Sequence, residues 1–219
     1  LLDDSLRYER KFAVETPDAA VVRVAVKRHP AMFRRLYPPR NVNNVYLDTP
    51  ALAAAHHNLE GIPDRWKARV RWYGPFWGTT EGAALELKRK HGTVGSKETF
   101  PLVGIEIAPG MRCESLRAAI GAVPAAIRAV AGLEPALANS YRREYYATPD
   151  RRFRATIDSN LTYLAIGHHR PAVRRRRYVV LEVKYDRRWD AAAHEICAEF
   201  PFRVTKFSKY ADGLAMIGI

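Results

Sequence analysis

The chain has 219 residues, 47% of them hydrophobic, enough to bury a sizeable core without disulfide or metal staples. Lys and Arg number 36 against 23 Asp and Glu, and the formal charge of +13 favours a polyanionic partner, whether nucleic acid, polyphosphate, nucleotide or anionic lipid. Cys113 and Cys197 lie far apart and make no C-x-x-C pair, so neither a disulfide framework nor a thiolate zinc site is indicated, and a reducing cytoplasm is the simpler expectation. No apolar run approaches the roughly 20 residues of a membrane helix, and "LLDDSLRYERK" lacks the apolar centre of a signal peptide.

Period-two alternation rich in β-branched and aromatic residues predicts a first strand over 6–14. Thr16, Pro17 and Asp18 then read as N-cap, first-turn proline and first-turn acid of a helix through "AAVVRVAVKRH". A strand over 43–48 precedes a short helix in "PALAAAHHN", and strands follow over 65–73, 83–90 and 97–103. The stretch "CESLRAAIGAVPAAIRAVAGL" is helical with an interruption at Pro124. Strands are expected over 139–147, 152–158 and 173–186, and helices from Asp190 and from Ser208. The class is therefore α+β with a dominant antiparallel sheet of about eight strands. No Gly/Ser linker or low-complexity tract divides the chain, so 1–219 is expected to be a single domain.

Within "RWKARVRWYG", Arg65, Lys67, Arg69 and Arg71 alternate with Trp66, Ala68, Val70 and Trp72. A phrase Glu-x-Lys occurs in three predicted strands, as Glu9/Lys11, Glu86/Lys88 and Glu182/Lys184, and each places a carboxylate and an ammonium about 6.6 Å apart on one face. The other faces are apolar: Val179, Leu181, Val183 and Tyr185 in one strand, Phe153, Ala155 and Ile157 in another. A solvated open sheet accounts for any one of these strands. Across many strands the excess of cations over acids accumulates repulsion, which a closed barrel enclosing an anionic ligand would relieve, with helices on its apolar exterior.

Other candidates carry less. His56 with His57, and His168 with His169, are adjacent pairs that one face cannot present to a metal together. "RRRR" at 174–177 fits a nucleic-acid patch, a solvated turn, or a strand with half its arginines inward. Trp66, Trp72, Trp77 and Trp189 could stack bases, but strand aromatics more often pack in the core or at its rim.

"RYERKF", "NNVYLDTPAL", "KARVRWYG", "LELKRKHGTVGSKETF", "SYRREYYATPDRRFRATID", "YVVLEVKY" and "KFSKY" occur in an order that resembles the VTC-type polyphosphate polymerase domain, within the triphosphate tunnel metalloenzyme (CYTH-like) superfamily. The resemblance implies an antiparallel β-barrel tunnel with helices packed outside, acting as a metal-dependent transferase that moves the terminal phosphoryl group of ATP onto a growing polyphosphate chain. It implies phosphate-binding roles for Lys11, Arg69, Arg71, Lys88, Lys97, Tyr141, Arg143, Arg154 and Lys184. Lys209 takes the late-lysine position, with Lys206 its alternative. Arg69, Arg71, Lys88, Arg143 and Glu182 are the implied catalytic residues, and Glu182 the ligand of a Mn²⁺ or Mg²⁺ ion. Implied partners are ATP and inorganic polyphosphate, not nucleic acid. The implied location is cytoplasmic, with any membrane association made through a partner. Related triphosphatases open on E-x-E-x-K, whereas Arg7 stands at the first glutamate position here, which argues against a carboxylate-rich two-metal site. An inorganic triphosphatase or polyphosphatase of the same fold is the alternative, followed by a noncatalytic module binding polyphosphate, nucleotide or nucleic acid.

Overall fold

A computed structural model describes residues 7–91, 94–107, 114–166 and 173–219. Cys113, His168 and His169 lie outside the described residues. In chain order the elements are β1 (Arg7–Glu15), α1 (Ala19–Arg28), β2 (Arg34–Asp48), α2 (Ala53–Leu59), β3 (Arg65–Tyr73), β4 (Gly78–Thr80), β5 (Ala83–His91), β6 (Val94–Leu102), β7 (Ile105–Ile107), α3 (Glu114–Gly121), α4 (Pro124–Ala129), β8 (Glu134–Ala147), β9 (Phe153–Ala165), β10 (Val173–Arg175), β11 (Tyr178–Asp186), α5 (Asp190–Ala198) and α6 (Lys209–Ile217). The pairs with a described register are antiparallel. The main sheet has nine strands in the order β1-β11-β9-β8-β2-β3-β5-β6, with β10 on β9, so the expected α+β class is present. None of the described helices is long and apolar enough to cross a membrane.

Several boundaries differ from the sequence reading. The N-cap of α1 is Asp18 and not Thr16: its carboxylate accepts from Ala20 N at 2.7 Å, while the Thr16 hydroxyl accepts from Asp18 N outside the helix. The strand expected over 173–186 is interrupted at Arg176 and Arg177. β2 begins at Arg34, ahead of the expected position 43, and contains Pro38 and Pro39.

The chain forms two compact units interleaved in sequence. The described part of the first comprises 7–40, 141–161 and 175–207; the second lies within 41–140, 162–174 and 208–219. In the first, one sheet face supplies Phe12, Phe153, Ala155, Ile157, Val179, Leu181, Val183 and Tyr185 to a core closed by Val22 and Val26 of α1 and Ala193 and Cys197 of α5. A bidentate pair joins α1 to β8: Arg23 Nε and Nη2 donate to Glu144, with Nη2 2.7 Å from Oε1. In the second unit Val45, Leu47, Ala68, Val70, Trp72, Leu85 and Leu87 pack against Leu116, Ala119 and Ile120 of α3 and Ala126 of α4. The alternation read in these strands is therefore the division between a buried apolar face and a polar one.

α6 departs from the expectation that helices cover only the apolar side. It lies against residues of the polar face in its own unit: Tyr210 stacks on Tyr46 at 4.7 Å and donates to Asp48 Oδ2 at 2.7 Å. Its N-cap Ser208 accepts from Lys67 Nζ at 3.0 Å. Gly213 makes this approach feasible, since a Cβ there would overlap Leu137 and Tyr163. Asp48 also anchors α2, with Oδ1 accepting from Ala54 N and Oδ2 from Ala55 N, which supplies the cap that Leu52 at the helix start cannot.

Candidate functional site

In the second unit the polar face is assembled by register. Lys67 is opposite Lys88, and Lys88 opposite Lys97, so three ammonium side chains form one row across β3, β5 and β6. Directly opposed like charges oppose sheet formation. In the next row Arg69 is opposite Glu86, and in the one after that Arg71 is opposite Asn44. Glu86 collects the cations: Arg69 Nε donates to Oε2 at 2.8 Å, Arg71 Nη1 is 3.5 Å from the same oxygen, and Lys97 Nζ donates to Oε1 at 3.0 Å. Arg71 is held from its other side by Asn44, whose Oδ1 accepts from Nε at 3.0 Å, and Asn44 Nδ2 donates to Asn139 Oδ1 at 2.8 Å.

Burial pushes the Glu86 carboxyl up, but Arg69, Arg71 and Lys97 outweigh it and bring its pKa down from 4.5 to about 2. A depressed carboxylate contributes stability that is complete above its unfolded pKa and is lost as pH falls through the folded value. The window is therefore from 4.5 down to about 2. Glu86→Gln is expected to flatten the acid limb of a urea-midpoint profile across that window. At neutral pH it should cost about 3 kcal/mol, the full linkage of such a shift. An unchanged acid limb would show that the three cations do not act on Glu86.

In the first unit β11 is central, with β1 on one side and β9 on the other. Glu182 stands between Lys11 and Thr156, and Lys184 between Glu9 and Arg154. Lys184 Nζ is 2.9 Å from Glu182 Oε1, and Lys11 Nζ is 2.8 Å from Glu9 Oε1. Arg154 is exposed, while Glu182 is only 6% exposed. Arg143 is tied down by Asp158, with Nε 2.6 Å from Oδ1 and Nη2 2.7 Å from Oδ2. Its guanidinium lies 5.3 Å from the centre of the buried Tyr141 ring.

The structure thus brings Lys11, Tyr141, Arg143, Arg154, Glu182 and Lys184 together in the first unit, and Arg69, Arg71, Lys88 and Lys97 in the second. Lys206 is exposed in the segment after Thr205, which bridges to Lys11, while Lys209 is the first residue of α6. Sequence reasoning left out Glu86, Asp158, Asn44 and Lys67 as participants. Glu86 and Lys67 were signalled by the alternation that marked Lys88 and Arg69; the two clamps, Asp158 on Arg143 and Asn44 on Arg71, had no local signal.

Among the described residues no group of three or more His, Cys, Asp or Glu side chains could hold a metal by itself. A hard divalent cation can be held by one carboxylate together with substrate phosphates and water. Glu182 suits that arrangement, and the hydroxyl of Thr156, directly opposite, is buried with no hydrogen-bond partner, an oxygen that a coordinated water would satisfy.

The VTC domain family matches residues 6–217. No curated protein matches the chain. Among solved structures, a proposed adenylate cyclase from Vibrio parahaemolyticus is 12% identical with a TM-score of 0.56, over 97% of this chain and 99% of that one. A second proposed adenylate cyclase, from Bacillus halodurans, is 14% identical with a TM-score of 0.53, over 93% of this chain and 94% of that one. At such identities the likeness is one of fold.

Proposed function

The chain belongs to the VTC domain family, and from that premise we propose that it is a metal-dependent polyphosphate polymerase, transferring the terminal phosphoryl group of ATP onto a growing polyphosphate chain along a tunnel walled by the polar sheet face. The observation that carries the reading is the row Lys67, Lys88 and Lys97, three opposed cations on a face whose reverse side is a packed core. Lys88 and Lys97 are exposed on that face, with Lys97 bonded to Glu86 and Lys67 to Ser208, and a phosphate chain laid across the strands would bring anionic charge to all three.

Phosphoryl transfer demands alignment and charge neutralisation more than covalent participation. In this reading Arg69 and Arg71 clamp phosphate oxygens with planar forks that Glu86 and Asn44 hold in place. Lys88 and Lys97 act as point charges beside them, and Lys11, Arg143, Arg154 and Lys184 do the same in the first unit, with Tyr141 beneath Arg143. Lys209, or Lys206 in its place, adds a further cation. Glu182 would hold a Mn²⁺ or Mg²⁺ ion, which when bound supplies charge neutralisation on the phosphate oxygens. The accepting phosphate oxygen is ionised at neutral pH, so no general base is required. A cytoplasmic location, with any membrane contact made through a partner, belongs to the same reading.

Incubation with ATP and Mn²⁺, followed by electrophoretic separation of long chains from free phosphate, tests the proposal. Long chains are expected. Free phosphate alone would make the protein a hydrolase of the same fold, and an absence of turnover would make it a binding module.

A further inference from the structure

The second unit carries a recess of about 400 Å³ lined by Asp64, Arg65, Trp66, Arg89, Lys90 and Ala129. It lies where β3 begins and β5 ends, with Arg65 opposite Lys90 and Trp66 opposite Arg89. At strand ends a recess draws on both faces of the pair. Arg65 and Lys90 continue the polar face of Lys67, Arg69 and Arg71, while Trp66 sits on the reverse face, packed against the core, with Ala129 of α4 nearby. Arg65 is steadied by a bond from Nη1 to Ile62 O at 2.9 Å.

The lining is chemically mixed. A bare phosphate chain would use the three cations, but neither an indole nor a carboxylate. A nucleotide uses all of them: an aromatic base has a face for the indole, a ribose has hydroxyls for a carboxylate to accept from, and the phosphates take the cations. We propose that this recess receives the nucleoside end of a nucleotide. The base lies on Trp66, the ribose hydroxyls donate to Asp64, and the phosphates pass Arg65 toward Arg69 and Arg71. Arg69 is four residues beyond Arg65 on the same face of β3, about 13 Å at the usual strand rise. The inference rests on the phosphate-binding reading of the polar face and adds to it a direction: base at the start of β3, terminal phosphate further along.

The test is calorimetric titration of the whole protein with two probes, ATP and tripolyphosphate. Trp66→Leu is expected to weaken ATP about tenfold, the effect of losing one base stack, and to leave tripolyphosphate within about twofold. Trp66→Phe, which keeps an aromatic face, should retain most of the ATP affinity. Because Trp66 also packs on the core, the exposed Asp64 gives a second variant: Asp64→Ala should weaken ATP while tripolyphosphate binding holds or tightens. ATP affinity indifferent to both substitutions, or equal losses for both probes, would overturn the nucleoside site while leaving a phosphate site standing. Failure of the unmodified protein to bind either probe would overturn the phosphate reading itself.

Discussion

Glu182→Gln is expected to lower turnover of ATP in the presence of Mn²⁺ by at least ~10²-fold, the scale of loss when one preorganised electrostatic contact to a transferring group is removed. The substitution keeps the size of the side chain and removes its charge. Glu182 is nearly buried, with Lys11 and Thr156 opposite it on the two flanking strands and the Lys184 ammonium 2.9 Å away. Lys184 is itself 40% exposed and its ammonium remains hydrated in the variant, so the fold should lose little. Affinity for polyphosphate measured in EDTA should hold or rise, because a carboxylate has been withdrawn from among cations. Together these outcomes separate a residue that holds the metal from one that only orders its neighbours: the latter would lose polyphosphate affinity and turnover in parallel. Full turnover in Glu182→Gln would remove Glu182 from the site.

What could be read from the sequence was whatever depends on one strand at a time. β3 was legible because its alternate residues Ala68, Val70 and Trp72 enter a core, which forces Lys67, Arg69 and Arg71 to the other side. The pairs Glu86/Lys88 and Glu182/Lys184 were legible for the same reason. Register was not. The sequence puts Glu86 and Lys88 on one face but cannot say that Glu86 meets Arg69 and Lys88 meets Lys67, because pairing is decided by long-range packing. For that reason it gave Arg69 and Arg143 as bare phosphate ligands, whereas each is already engaged by a carboxylate. The amide link between Asn44 and Asn139, residues 95 apart in sequence, was equally out of reach. β2 extends ahead of the expected position 43 through a stretch that is mostly exposed and carries Pro38 and Pro39, so it lacks the buried alternation by which the other strands are read.

The second large effect concerns Arg143, which sequence reasoning put among the catalytic residues and which the structure finds locked to Asp158. Asp158 is fully buried and the Arg143 side chain is 12% exposed. Burial alone would push the guanidinium's pKa down; the adjacent Asp158 more than reverses this and holds it well above its ordinary value. Asp158→Asn keeps the shape and takes the bonded carboxylate away from a buried cation, so a loss of ~3–5 kcal/mol is expected in urea unfolding, the usual cost of breaking a buried pair from one side. Arg143→Met removes the guanidinium that engages both oxygens of the buried carboxylate, and a loss in urea unfolding is expected there too. Joining the two substitutions should restore stability beyond the Asp158→Asn single variant, since the buried cation is then gone as well. That double variant also separates structure from chemistry: with the fold restored and the guanidinium gone, polyphosphate affinity should still fall if Arg143 binds phosphate through the edge that Asp158 does not hold. Undiminished affinity in a folded double variant would make Arg143 a purely structural residue, and near-wild-type stability in Asp158→Asn would show that the pair is not the buried clamp its 2.6 Å contact describes.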